Sequence, residues 1–385
     1  MQGALMVLGL IMAAAAATYA LLAALATTIA TVRARIAAAR SCGPAPHPGA
    51  FQPAVTVLKP LCGSELALYE RLCSLCCQDY PQFQIVFGVH TPADTALPVA
   101  RRVQHQFKDL DSDCVIDPTR HGVNSKVSNL LNMLPRAKHD LLIIADSDIA
   151  VPPDYLRRVL APLADPRVGL VTCAYAGRPG PGLWSALGAQ FINGWFMPSV
   201  YVAALFGLQW FVSGATIAVR GELLTRCGGL RGLADQLADD FKLGAQVRAQ
   251  GLKVVLSDLR VQTQVDEPSV TALVRHSLRW LRTIRAVRPL AYVGCIFTFS
   301  LPLAVIGAAL AHFQADALVL LAITVVGRVV LHLHGPRDGW RQIGLIPLHD
   351  ALLLVLWCWG FARDEVSWRQ ERFSVGRDGA LYRVP

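Results

Sequence analysis

Asp146 and Asp148 stand one residue apart, directly after an apolar run, LLIIA (141–145). A buried strand with that ending brings both carboxylates out at the carboxyl edge of a sheet. Paired hard oxygens there suit a divalent cation, which would hold substrate phosphates as well. Taken without the strand, the same pair can simply cap the next helix. A second acidic pair, Asp239 and Asp240, opens the helical stretch LADDFKLG. Acidic residues favour a helix N-terminus, and a carboxylate in that place can also act as general base. The third group is His276, Arg279 and Trp280 in HSLRW, followed by Arg282, Arg285 and Arg288. On a helix Arg279 and Arg282 share a face, and Arg285 is less closely aligned. A guanidinium suits a diphosphate and an indole suits stacking. The later arginines fit equally a basic helix on a membrane surface.

Three single residues join these. Lys59 ends the first strand before Pro60, Lys126 sits in NSKVSNL, and Asp94 follows the second strand in VHTPAD. The lysines fall where loops face a ligand, which suits phosphate contact, or they are surface charge. Asp94 is either a turn residue or a contact to uracil or ribose. Other chemistries lack their signatures. There is no G-x-G-x-x-G after the first strand, no phosphate-binding G-x-x-x-x-G-K loop and no G-x-S-x-G elbow. Cys73, Cys76 and Cys77 form a cluster with no His or Cys group at zinc-ligand spacing, so they read as small buried residues in a reducing compartment.

Residues 51–286 must position these groups, and they alternate between strand and helix. Strands are expected at 54–58, 84–89, 114–117, within 140–148 and at 168–174. Helical spacing runs from Ser64 to the stop at Pro81, and again over 154–164. Apolar strands separated by helices make a mostly parallel sheet covered on both faces, with ligands at the carboxyl ends of its strands. Residues 183–212 are apolar and aromatic yet hold Gly and Pro. They form either a pair of core helices or a membrane-facing groove for a lipid acceptor.

The flanks belong to a bilayer. Only 16% of the 385 residues are charged and 54% are hydrophobic, against roughly a quarter charged in soluble proteins. The net charge of +9 comes from arginine, since only six of 36 basic residues are lysine. No basic stripe interleaves with aromatics, which argues against nucleic acid and for a membrane surface or a phosphate-bearing substrate. Residues 4–32 carry no charge and are followed by Arg33, Arg35 and Arg40. This fits an uncleaved anchor whose C-terminal end lies on the cytoplasmic side, better than a signal peptide, whose basic residues come first. Hydrophobicity returns in a clean segment at 290–313, at 316–334 with Arg328, and at 343–361, which carries His349 and Asp350 and is interrupted by Pro347. Three full crossings would put the tail outside, whereas Arg363, Arg369, Arg372 and Arg377 favour the inside. An even number of crossings resolves this, with one segment, the third by its Pro347 and Asp350, lying in the interface or re-entering.

An aspartate pair after a strand, a later acidic pair and an Arg-Trp motif before C-terminal spans form an ordered set. It resembles the inverting glycosyltransferases of GT-A fold that act on lipids or processively, above all the ceramide glucosyltransferase family. Within that family it looks like the bacterial hopanoid-biosynthesis (HpnI) type. The stretches that carry the likeness include VLKPLCG, QDYPQFQIVFGV, KVSNLLNMLP, ADSDIAVPPDYL, ADDFKLG and HSLRWLRTIRAVRPL. The resemblance implies nucleotide binding by Asp94, metal and donor diphosphate at Asp146 with Asp148, and a catalytic base at Asp240. Arg279 and Trp280 match the family's Gln/Arg-x-x-Arg-Trp motif, and Lys126 matches a lysine that follows Asn. His276 stands where the ceramide enzymes have Gln or Arg, which fits a hopanoid enzyme better.

The expected organisation is an anchor (1–35), a linker (36–53), a GT-A domain (54–286), transmembrane or interfacial helices (287–362) and a basic tail (363–385). The resemblance implies a multi-pass protein of the bacterial inner membrane whose catalytic domain is cytoplasmic. It implies transfer of a sugar, N-acetylglucosamine by the nearest likeness, from its UDP form to a lipid hydroxyl such as bacteriohopanetetrol, with Mg or Mn. Glucose transfer to ceramide and a non-catalytic membrane scaffold are the alternatives. The scaffold leaves Asp146, Asp148 and Asp240 without a task.

Overall fold

The computed structural model describes residues 2–41, 51–63, 65–208, 211–334, 339–362, 365–368, 371–376 and 379–383. Residues 42–50 of the expected linker lie outside these residues, as do Arg363, Arg369 and Arg377 of the basic tail. The strands are β1 (Val55–Pro60), β2 (Phe83–Val89), β3 (Ser112–Ile116), β4 (Leu141–Ala145), β5 (Ile149–Ala150), β6 (Val168–Pro179), β7 (Thr216–Arg220) and β8 (Lys253–Val265). Eight strands make one sheet in the order β3-β2-β1-β4-β7-β6-β8-β5. The half β3-β2-β1-β4 is parallel. The antiparallel strand β7 joins it to the parallel pair β6 and β8.

Every residue of β1 and β4 is buried, because helices cover both faces of the sheet. Helices Leu68–Cys76, Ala96–Gln106 and Tyr155–Leu160 pack on one face. Helices Ser125–Met133, Gly221–Arg226 and Asp239–Ala249 pack on the other. Each fully buried Leu, Ile or Val there contributes about 1.5–3 kcal/mol. The expected early strands and helices are present. The sequence reading did not anticipate β7 or β8, or that β6 runs to Pro179.

The N-terminal helix runs from Gln2 to Ser41, beyond the expected boundary at 35, since no Pro or Gly interrupts it there. Small residues let its neighbours approach. A Cβ added to Gly9 would lie 2.4 Å from the Gly307 carbonyl oxygen, and one on Gly327 would lie 3.0 Å from the Ala20 Cβ. Helix Ser300–Leu310 packs on this anchor with Leu303 and Ala304 at Ala16 and Gly307 at Gly9. Helix Ala315–Leu333 runs back, with Gly327 at Ala20, Leu331 at Ala23 and Ala24, and His334 bonded to Thr28 at 2.9 Å.

Among the described residues three helices are long and apolar enough to cross a membrane, or four if a bent pair counts as one span. That pair, Pro289–Thr298 and Ser300–Leu310, is bent by 63°. The break therefore falls in the first C-terminal segment, where the sequence looked clean. Pro302 would clash with the Thr298 carbonyl in a continuous helix. Pro347, expected to interrupt the third segment, sits in the first turn of helix Ile346–Gly360, where its missing N–H costs nothing.

That third helix stays against the catalytic domain. The Gln342 carbonyl just before it accepts from the Gln190 side chain at 2.9 Å. Trp357 near its end exchanges bonds of 2.7 and 2.9 Å with Tyr292. Asp350 pairs with Arg328, both buried, and Arg328 also donates to the Gly194 carbonyl. The tail forms an antiparallel sheet of β9 (Glu365–Trp368), β10 (Glu371–Val375) and β11 (Leu381–Arg383).

Candidate active site

The carboxyl ends of β1 and β4 open on a cavity of about 450 Å³. Asp146, Asp148, Lys126, Asp240, His276, Arg279 and Trp280 all line it. Residues from four separate stretches of chain thus meet in one space. Lys59 and Asp94 do not line it.

The loop after β4 is held from below. The Asp146 N–H donates to the Ala215 carbonyl at 3.2 Å, and Thr263 of β8 donates to the Asp148 carboxylate. Lys59 is fully buried and donates to the Asp146 carbonyl. The phosphate contact expected of Lys59 is therefore replaced by a support beneath the aspartate loop, because its side chain points into the packed layer. Burial depresses its ammonium to about 8. Asp94 accepts from the N–H groups of Gly63 and Ala96, both at 2.9 Å, so it ties the loops after β1 and β2 together.

Lys126 reaches the site from the first turn of helix Ser125–Met133, whose N-cap is Asn124. Its ammonium lies 2.5 Å from an Asp146 carboxylate oxygen. Burial alone would lower its pKa, but Asp146, Asp239 and Asp240 outweigh that and raise it. Gly214 stands where these groups converge. A Cβ there would lie 3.2 Å from Asp240 Oδ2, 3.4 Å from Lys126 Nζ and 3.7 Å from Asp146 Oδ2. Its loop is fixed by bonds of 2.9 and 3.0 Å between Ser213 and Thr172.

Asp239 and Asp240 begin the helix Asp239–Ala249. Asp240 accepts from the Phe241 N–H at 2.7 Å, and Asn124 reaches Asp239 at 3.4 Å. Burial, then the Asp239 charge, push the Asp240 carboxyl up to about 7, with Lys126 opposing. A carboxyl that changes charge near neutrality is matched to taking up a proton. Asp148 is also raised, first by burial and then by Asp146.

Asp146 and Asp148 are a short donor set. Among the described residues no group of three or more His, Cys, Asp or Glu could enclose an ion. Two carboxylates fit a hard cation whose other ligands are phosphate and water, and they do not fit a closed structural site.

Helix Val270–Val287 forms the opposite wall. His276 Nδ1 lies 2.5 Å from Glu267 Oε1, a buried carboxylate just beyond β8. That bond orients the ring and leaves Nε2 as its remaining polar atom. Trp280 is held edge-on by Phe196 and Phe191, with ring centroids 4.8 and 5.7 Å away. Residues 183–205 form helix Leu183–Gln190, a π-helical turn Phe191–Phe196 and helix Met197–Leu205. Ile192, Phe196 and Phe211 give the cavity an apolar side, while Leu205, Phe206 and Leu208, at and just after the end of helix Met197–Leu205, are exposed. Trp195 does not line the cavity. It stacks on Phe299 and bonds Thr298 at 2.8 Å, facing the apolar helices.

Glu267, Gly214, Asn124 and Tyr175 were missed from sequence. Tyr175 of β6 is buried on the cavity wall. Asn124 was legible as a helix cap. The others carry no local signal, since their partners are distant in sequence.

The profile of glycosyl transferase family 21 matches residues 15–381, and the chain belongs to that family. Ceramide glucosyltransferase 1 of Caenorhabditis elegans is 24% identical over 244 residues, covering 63% of this chain and 52% of the relative. The ceramide glucosyltransferase of Gibberella zeae is 30% identical over 131 residues, 31% of this chain and 25% of the relative. The chain spans about half the length of the first of these relatives or less. Among solved structures it is similar to the mannosyltransferase PcManGT of Pyrobaculum calidifontis, in complex with GDP-Man and Mn2+. The TM-score is 0.50 at 23% identity, covering 89% of this chain and 98% of that one. The fold is of the GT-A kind.

Proposed function

We propose that this member of glycosyl transferase family 21 transfers a sugar from a UDP-sugar to a lipid hydroxyl, with inversion at the anomeric carbon. The observation that carries the reading is Asp240. It is a carboxyl tuned to about 7 in a cavity that also holds the Lys126–Asp146 pair and Arg279. Asp240 takes the acceptor hydroxyl's proton as the oxygen attacks the anomeric carbon. The bond from that carbon to the diphosphate oxygen breaks on the opposite face, and UDP departs. Lys126 and Arg279 supply positive charge to the departing diphosphate. Asp146 and Asp148 would hold a divalent cation, Mg or Mn, which when bound supplies further neutralisation of the diphosphate. Asp94 belongs to the nucleoside end of the donor site by the family likeness.

The cavity has an apolar wall of Ile192, Phe196 and Phe211, and the same 183–212 stretch exposes Leu205, Phe206 and Leu208. This supports an acceptor that enters from the membrane. The path of the helices supports an even number of crossings after the catalytic domain. Helices Ser300–Leu310 and Ala315–Leu333 run along the anchor and back, and helix Ile346–Gly360 stays on the domain side. The basic residues Arg33 and Arg35 support a position of that side in the bacterial cytoplasm.

His276 supports a polyol acceptor of the hopanoid kind with N-acetylglucosamine as the sugar, since Glu267 fixes a ring where the ceramide enzymes carry a longer side chain. The names of the curated relatives favour the second reading, glucose transfer to ceramide. A donor–acceptor matrix on purified protein in detergent tests both. UDP-N-acetylglucosamine and UDP-glucose are each paired with bacteriohopanetetrol and ceramide, with Mg, Mn or chelator. The amino sugar on the hopanoid is the expected product. Glucosylceramide would overturn the acceptor and keep the mechanism. No metal-dependent UDP binding and no transfer would overturn both.

A further inference from the structure

The tail after the last apolar helix returns to the catalytic domain and docks on the segment that leads into Asp239 and Asp240. Gln236 and Ala380 form an antiparallel bridge. The Leu237 N–H donates to the Gly379 carbonyl at 3.0 Å, and the Leu381 N–H donates to the Asp235 carbonyl at 2.8 Å. Side chains close the contact, as Leu237, Val366, Phe373 and Leu381 are buried together in a small cluster of their own. Arg282 of the Trp280 helix donates to the Glu365 carbonyl. A Cβ on Gly379 would lie 3.2 Å from Val287 Cγ1, a residue of the cavity wall.

The other side of the same segment is held by the domain. Asn124 donates to the Gln236 carbonyl at 2.8 Å, and the Val123 N–H donates to Asp235 Oδ1 at 2.9 Å. Residues 235–238 are thus clamped between the Lys126 helix and the tail sheet. They have no regular structure of their own beyond that bridge. A short segment with so few local bonds takes its position from its partners.

We infer that the C-terminal sheet β9–β11 is a positioning element of the active site, holding the 235–238 segment so that Asp240 faces the acceptor. Leu381 and Phe373 are its positioning residues. This rests on Asp240 being the base. It also makes the tail more than a topological marker, since it must share a side of the membrane with the catalytic domain.

The test uses the full chain in detergent. Transfer is measured with the donor–acceptor pair that the matrix identifies, and UDP binding is measured by calorimetry with Mn. Leu381→Asp lowers kcat at least tenfold, keeps UDP affinity within threefold and moves the acidic limb of the pH profile to lower pH, because the base becomes wetter. A cysteine pair, Gln236→Cys with Ala380→Cys, faces across the bridge at disulfide range. Oxidising that pair within Leu381→Asp restores kcat to within threefold of the oxidised pair alone. If Leu381→Asp does not fold, Gly379→Ala is the milder variant, straining a backbone at φ +80° and pressing on Val287, and gives the same split. Unchanged kcat, equal losses of kcat and UDP affinity, or no cross-link would each overturn the inference. Asp240→Asn separates the two levels. Full turnover in that variant removes the base, whereas a dead Asp240→Asn with a normal Leu381→Asp removes only the brace.

Discussion

Asp240→Asn keeps the size of the side chain and the bond from the Phe241 N–H, and removes the proton acceptor. Positioned general bases contribute about 10²–10⁴-fold, so kcat falls by that range, about 3–5 kcal/mol of transition-state stabilisation. The pH dependence is the sharper readout. The Asp240 carboxyl is raised to about 7 by burial and by Asp239. Below that pH it is mostly protonated and cannot accept, so kcat/KM falls about tenfold per pH unit on the acid side and levels off above it. The variant loses this limb. A raised carboxyl also costs the folded state stability as pH rises from the unfolded value to about 7, because the unfolded chain gives up that proton first, and the cost stays constant above that pH. Asp240→Asn therefore melts higher than the parent at pH 8, and the two converge near pH 4. The assay is transfer of labelled sugar across pH 5–9, with UDP binding measured alongside. A variant with more than a tenth of parental turnover, or with an unchanged acidic limb, would refute the assignment.

Lys126→Met removes the cation that opposes the upward shift of Asp240, so the acidic limb of kcat/KM moves to higher pH and UDP binds more weakly. A limb that stays in place would separate Lys126 from the base. Gly214→Ala puts a methyl group 3.2 Å from Asp240 Oδ2 and 3.4 Å from Lys126 Nζ. Activity falls at least tenfold while melting temperature and detergent monodispersity stay near the parent's, and a fully active variant would show slack at that point. In the membrane-proximal region Arg328 and Asp350 are buried as a pair. Breaking it with Arg328→Leu leaves a lone buried charge and costs about 3–5 kcal/mol, whereas Arg328→Leu with Asp350→Leu recovers most of that. Thermal unfolding in detergent reads both, and additive losses would contradict the coupling.

Much of the fold was legible because it is local. Strands β1 to β4 are short apolar runs bounded by turn residues, and each reads without its neighbours. Strand β8 shows a period of two, with alternate residues buried from Leu259 to Val265, yet its polar half hides it in a composition scan. Strand β7 is five residues long in the middle of the sheet, and its insertion between β4 and β6 is a pairing that no local pattern announces. The two acidic pairs and the His-Arg-Trp group were also visible, since each is a spacing within a few residues. The break at Phe299 and the intact helix after Pro347 were read the wrong way round, because the cost of a proline depends on its position within the helix.

The sequence by itself determined the alternating domain, the apolar flanks, the acidic pairs that follow or open an element, and membership of a family. All of these are properties of neighbouring residues. Tertiary structure alone decided what those residues face. It put Lys59 under the aspartate loop instead of in the cavity, turned Trp195 toward the apolar helices, joined His276 to Glu267, and brought Lys126, Asp146 and Asp240 around Gly214. It also brought the tail back onto the base-bearing segment. Burial and charge proximity set the Asp240 carboxyl near neutrality. Both arise from groups far apart in the chain, so they come into being only when the chain has folded.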